Sequence, residues 1–117
     1  MFLELSHTKL NVFKVTKRFV LIVYNETKSF PAEEKFGMIS QIRRAALSAH
    51  LNVAEGCSRK SVAERKRFYE IARGSIIEVD TALDVAVNVK YISKDQLKEL
   101  GDMMIRSFQL VSKLISQ

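Results

Sequence analysis

The chain has one Cys, one Pro, two His and four Gly in 117 residues. One Cys cannot build a disulfide framework or a Cys-based zinc cluster. Two His leave little for metal chemistry or for a catalytic triad. Five Gly and Pro together are about a third of the usual share of roughly 12%. A β-sandwich or barrel needs turn residues throughout, so this scarcity argues against an all-β fold. The most apolar run, Phe19 to Tyr24, spans six residues, against the ~20 that a membrane helix needs. The start, MFLELSHTKL, carries an early Glu4 and no basic stretch ahead of an apolar run, so it does not read as a secretory signal. With Cys57 unpaired, the expected compartment is the cytoplasm.

What is present is one domain's length of chain, residues 1–117, with 47% apolar residues. Four helical segments are predicted. The first covers about 8–27, where Val12, Val15, Phe19, Ile22 and Val23 recur at three- and four-residue steps. The second starts near Pro31, a favourable first helical residue, with Glu33 and Glu34 in its first turn. It runs to about 55 with Phe36, Ile39, Ile42, Ala46, Ala49 and Val53 on one face, and Gly56 reads as its C-terminal cap. The third covers about 61–89, opened by the capping box Ser61–Glu64. Phe68, Ala72, Ser75, Val79, Leu83 and Ala86 form its stripe, and Gly74 reads as a close helix–helix contact. The fourth covers about 94–116 behind a second capping box, Ser93–Gln96, with Leu97, Leu100, Met104, Ser107, Phe108, Val111 and Leu114 in line. No strand-like alternation of useful length occurs. Short connections between amphipathic helices predict an all-α, antiparallel up-and-down four-helix bundle. Ile71, Ile76, Ile77, Val85 and Val87 lie off the third helix's stripe. They point to a second apolar face and an oligomer, or else to a broad core face.

The net charge of +6 is unevenly spread. Residues 43–73 hold eight basic residues against three acids, a surplus of five, and the rest of the chain is nearly balanced. Arg43, Arg44, Arg59, Lys60, Arg65, Lys66, Arg67 and Arg73 thus fall on one helix–loop–helix hairpin. Such a patch attracts phosphate backbones through counterion release. The candidate phosphate contacts are Arg59, Lys60, Arg65, Lys66 and Arg67, with Arg44 a weaker one. About five phosphates would give a log K against log salt slope near −3.5 to −4.5. Tyr69 is the expected stacking platform, since Phe68 falls on the core stripe. Glu70 and Arg73 form an expected local pair. The alternative is a solvated face whose arginines make ion pairs.

Catalytic readings are weak. Asp80 and Asp84 share a face of the third helix, but a bundle metal site wants ligands from facing helices. Cys57 sits near Arg59 and Lys60, a setting that lowers thiol pKa values, yet neither His7 nor His50 is placed as its base. No phosphate-cradling Gly loop occurs. The expectation is a non-enzymatic protein with no cofactor and no metal.

Two blocks are more distinctive than the composition. Ser40-Gln41-Ile42-Arg43-Arg44-Ala45-Ala46-Leu47-Ser48 is followed by Asn52-Val53-Ala54-Glu55-Gly56, then by Arg67-Phe68-Tyr69-Glu70-Ile71-Ala72-Arg73-Gly74-Ser75 and Glu78-Val79-Asp80-Thr81-Ala82-Leu83. They closely resemble the four-helix-bundle proteins encoded within intervening sequences of bacterial 23S rRNA genes, relatives of the accessory variability determinant of diversity-generating retroelements. The likeness spans about residues 10–115. It implies a left-handed bundle assembling into a homo-oligomeric ring, typically a pentamer, with no known catalytic activity. In the retroelement branch the positive ring surface is associated with RNA and with a reverse transcriptase. The matching positions are Gln41, Arg43, Arg44, Asn52, Glu55 and Gly56 in the second helix and Arg67, Gly74, Ser75 and Glu78 in the third. Family members usually carry Ile-Pro before the Asn, where this chain has Ala49-His50-Leu51, so the kink that Pro would impose is not expected. Asn52 and Glu55 can satisfy loose backbone groups or pair with Arg43. The expected function is nucleic-acid binding, RNA above all. The alternative is a protein-interaction adaptor, for example for a reverse transcriptase, with no intrinsic nucleic-acid binding.

Overall fold

The computed structural model describes residues 1–117 and contains helices only. Helix α1 is Asn11–Glu26, α2 Met38–Ser58, α3 Val62–Asn88 and α4 Lys98–Ser116; 3-10 turns cover Ser6–Lys9, Thr27–Ser29, Ala32–Glu34 and Asp95–Leu97. The helices form a square in which α1 packs on α2 and α4, and α3 packs on α2 and α4. Thr16 and Thr27 of the first limb meet His50 and Arg43 of α2, while Gln41 and Ser48 of α2 meet Glu78 and Ser75 of α3. These pairings run in opposite directions, as an up-and-down four-helix bundle requires. No helix is long and apolar enough to cross a membrane.

The α1 stripe is buried throughout, as are Ile42, Ala46, Ala49 and Val53 of α2 and Ala72, Val79, Leu83 and Ala86 of α3. Phe36 is not: it lies in the turn before α2 and is 90% exposed. Helix α2 starts at Met38 rather than at Pro31. The Glu34 side chain folds back to accept a hydrogen bond from the Met38 N–H at 3.1 Å, and its other oxygen accepts one from the Tyr91 hydroxyl at 2.8 Å. A β-carbon at Gly37 would stand 2.7 Å from that first carboxylate oxygen, so Gly37 leaves the carboxylate its path. Glu34 therefore serves the helix dipole from outside the helix.

Ser61 accepts from the Glu64 N–H at 3.1 Å, which is half of a capping box; Ser93 and Gln96 make both bonds, at 3.2 and 2.9 Å. Helix α3 ends with Lys90 in the left-handed region, φ 67°. The Tyr91 N–H bonds to the Ala86 carbonyl and the Lys90 N–H to the Val87 carbonyl, at 2.9 and 3.0 Å, the pattern of a Schellman motif. Of the off-stripe residues of α3, Ile76 is buried and Val87 packs against the core, while Ile71, Ile77 and Val85 are exposed. The second apolar face is thus narrower than expected. Gly74 makes no close helix contact: a β-carbon there would meet nothing within 4 Å.

Lysine at a left-handed position pays a steric penalty that glycine avoids. Lys90→Gly should therefore raise stability by about 0.5–1 kcal/mol, after the unfolded-state entropy of glycine is charged against it; urea denaturation checks this. The Met38 N–H and the Tyr91 hydroxyl hold the Glu34 carboxyl below its ordinary pKa of 4.5. That contribution is complete above about pH 4.5 and is lost as pH falls through the lower folded value. Thermal melts between pH 3 and 6 should show Glu34→Gln flattening this acid limb.

Candidate nucleic-acid interface

Three residues, Arg59 to Ser61, join α2 to α3. What fixes this hairpin lies just below it. Tyr69 is 6% exposed and its ring lies against Gly56: a β-carbon at Gly56 would stand 2.5 Å from the ring. Gly56 is therefore not a helix cap. It lies inside α2, which continues to Ser58, and no glycine of the chain has a positive φ. It is the flat spot that admits an aromatic ring. The Tyr69 hydroxyl reaches Cys57 Sγ at 3.5 Å. Burial, with the Cys57 contact adding to it, pushes the Tyr69 phenol up, so it stays protonated.

Above that joint the basic residues divide by role. The Arg59 guanidinium pairs with Glu55, one turn back on α2, at 3.0 Å and lies over the Phe68 ring, 4.9 Å from its centroid. Arg67 approaches the same ring at 5.9 Å. The Arg65 Nε donates to the Arg59 carbonyl at 2.6 Å, tying the first turn of α3 to the loop. The chain's ion pairs are Arg18–Glu99 and Arg59–Glu55, so Lys60, Arg65, Lys66 and Arg67 are unpaired. Lys66 is half-buried and the other three are exposed. Successive residues of a helix point about 100° apart, so Arg65, Lys66 and Arg67 fan over roughly 200°. The charge forms a collar around the hairpin tip rather than a flat face.

Not every expected residue joins this collar. Arg44 is exposed but sits fourteen residues before the end of α2, about 21 Å away at ~1.5 Å per residue. Arg43 faces inward to α1: its Nε donates to Thr27 Oγ1 at 2.9 Å, its terminal nitrogen to the Tyr24 carbonyl at 3.1 Å, and its plane lies over the Tyr24 ring. It closes the end of α1 and pairs with neither Asn52 nor Glu55. Asn52 donates to the Ser48 carbonyl at 2.8 Å and to its hydroxyl at 3.1 Å, and Ser75 donates to that same hydroxyl at 3.1 Å. Gln41 donates to Glu78 at 2.7 Å. The Glu70–Arg73 pair does not form; Arg73 lies over the Phe108 ring of α4 instead. Tyr69 cannot stack on a base, since it is the buried residue and Phe68 the outer one. The spacing of Glu55 and Arg59, acid four before base across the end of α2, is a signal for the pair that fixes Arg59.

The catalytic candidates stay apart. Cys57 is half-buried and its partner is Tyr69. His50 meets Thr16 Oγ1 at 2.7 Å and packs its ring on Phe13. Desolvation, with Lys17 and His7 adding to it, lowers the His50 pKa and favours its neutral form. Asp80 and Asp84 border a groove between α3 and α4, and no cluster of three or more His, Cys, Asp or Glu is placed to hold a metal ion.

A family model described as 23S rRNA-intervening sequence protein matches residues 8–113. No curated protein matches the chain. Among solved structures, the chain is similar to the crystal structure of a protein of unknown function from the S23 ribosomal protein family of Bacteroides thetaiotaomicron. The TM-score is 0.80 at 20% identity, covering 91% of this chain and 99% of that one. A likeness at that identity carries the fold alone.

The Tyr69 ring is buried and has little room to give way. Gly56→Ala should destabilise the chain by about 1–3 kcal/mol through overpacking, read by urea denaturation, and Gly74→Ala, with open space around it, should not.

Proposed function

The chain belongs to the 23S rRNA-intervening sequence protein family, and on that premise we propose that it is a non-enzymatic bundle that binds nucleic acid, RNA above all, through its hairpin tip. We further propose that it works as a homo-oligomeric ring, so that each copy adds one collar to a multivalent positive surface. The carrying observation is that Lys60, Arg65, Lys66 and Arg67 crowd one three-residue connection with no carboxylate paired to any of them. Unpaired cations at a convex tip are what a phosphate backbone neutralises, and the released counterions drive binding without a base-specific code. Phe68, covered by Arg59 and Arg67, supports guanidinium groups and is not free to stack on a base.

A second reading draws on the same charge: an adaptor docking an acidic protein surface, such as the reverse transcriptase associated with the accessory-determinant branch. A salt titration separates the two. With four free cations engaged per chain, log K for structured RNA should fall with log salt at a slope near −2.8 to −3.6. Replacing Lys60, Arg65, Lys66 and Arg67 by Ala should abolish binding at low salt. Glu55→Gln, which frees Arg59, should strengthen RNA binding and steepen the slope by about 0.7–0.9. A flat salt response in the parent chain removes the RNA reading and leaves the adaptor.

A further inference from the structure

The segment Met1–Leu5 precedes the first 3-10 turn and belongs to no helix. Four of its five residues are apolar and all four are exposed, Phe2 completely so. Single exposed apolar side chains are ordinary; a contiguous run of them marks a contact surface. The 3-10 turn that follows packs on α1 and α2, with His7 edge-on to Phe13 and Phe13 against His50. The arm therefore leaves the bundle from its α1–α2 side.

Across the square, on the α3–α4 side, lies the groove bordered by Asp80 and Asp84. Its volume is about 710 Å³, within the ~300–1,000 Å³ of clefts that bury a drug-sized ligand. Leu83, Val87, Leu100, Met104 and Ile105 give it apolar walls, and Ile105 is well exposed. The rim carries Asp80, Asp84, Asp95 and Asp102 against Lys94 and Lys98, a surplus of acid. The root of the arm has the opposite surplus, with Lys9, Lys14 and Lys17 against Glu4. Lys17 lies close enough to His50 to act on its charge, which puts it on the α1–α2 side. Five extended residues reach ~17 Å, too short to pass around a bundle 23 Å across at its narrowest.

We propose that the groove between α3 and α4 receives the N-terminal arm, Met1–Leu5, of a second copy of this chain. Phe2 and Leu3 fill the apolar floor, Glu4 meets Lys94 or Lys98, and the lysines at the arm's root face the rim aspartates. The contact is heterologous, one face of a copy against the opposite face of the next, which is the kind that closes into rings. It rests on the proposed self-assembly and names the surfaces that make it.

Light scattering on the full chain and two variants, Phe2→Asp and Ile105→Asp, tests it. Both positions are exposed, so each variant should keep the parent's fold, read by far-UV circular dichroism, while its melt falls toward that of the free chain as association is lost. Each variant alone should self-associate about tenfold or more weaker, the scale set by losing one buried aromatic or aliphatic side chain. Mixed one to one, the intact arm of the Ile105→Asp copy should enter the intact groove of the Phe2→Asp copy and give a dimer that neither forms alone. If both variants assemble like the parent, self-assembly stands and the arm-in-groove contact falls. If the variants dissociate but the mixture yields no dimer, the arm does not enter this groove and the contact falls as well. A parent chain that stays monomeric overturns the ring and this contact together, while leaving the RNA reading to its salt titration.

Discussion

Small side chains along the inner edge of α2 let α3 come close, and the layout of the hairpin tip follows from that approach. Ala45, Ala46, Ala49 and Gly56 are all buried, and at Gly56 the neighbouring helix contributes an aromatic ring rather than another small residue. The ring of Tyr69 occupies the space of a missing β-carbon. That contact sets the rotation of α3 about its axis. With Tyr69 turned inward, Phe68 is turned outward, and Arg65, Lys66 and Arg67 are spread around the tip. A connection of three residues then has little freedom left, and Glu55 and Phe68 take up the side chain of Arg59.

Seen this way, most of the motif shared with the family is architecture. Arg43 closes α1, Gln41 and Glu78 link α2 to α3, and Asn52, Ser48 and Ser75 form a small hydroxyl and amide cluster at the same seam. The Arg43–Thr27 and Ser75–Ser48 bonds join different helical elements and are part-buried. Their loss leaves polar groups without partners, which costs more than a surface bond gains. A motif maintained by such contacts says how the bundle is held, and little about what it binds. The free cations of the collar lie beside the motif rather than within it, except for Arg67.

The fold was legible because periodicity alone separates the buried from the exposed face of a long helix. The stripes of α1 and α4 needed no knowledge of partners; that of α3 holds at Ala72, Val79, Leu83 and Ala86 and is off by one at Phe68 and Ser75, where Tyr69 and Ile76 are buried. The turn before α2 was not legible. Pro31 and the following acids fit a helix start, but the Glu34 carboxylate is held by Tyr91, fifty-seven residues away, and no local rule anticipates that hydroxyl. Lys90 in a left-handed cap carries no sequence signal either, because glycine is the residue that advertises such a position. At the candidate site, the charge surplus and its place on one hairpin were legible from counting. The pairing of Arg59 with Glu55 follows the four-residue acid-to-base spacing at the end of α2.

An all-helical chain with four amphipathic segments, and five of its six net positive charges on one hairpin, follow from the order of residues alone. Composition and spacing suffice there, because helix faces and local charge are properties of neighbours along the chain. Only the tertiary structure decided which cations are free, that Arg43 is spent on α1, and that Phe68 and Tyr69 exchange their expected places. Tyr69 and Ile76 take the core places expected of Phe68 and Ser75, and with Ala72, Val79, Leu83 and Ala86 they keep alternating three- and four-residue steps. What spacing along one helix does not specify is the partner: the Tyr69 ring lies over Gly56 of another helix, a close approach between positions thirteen residues apart.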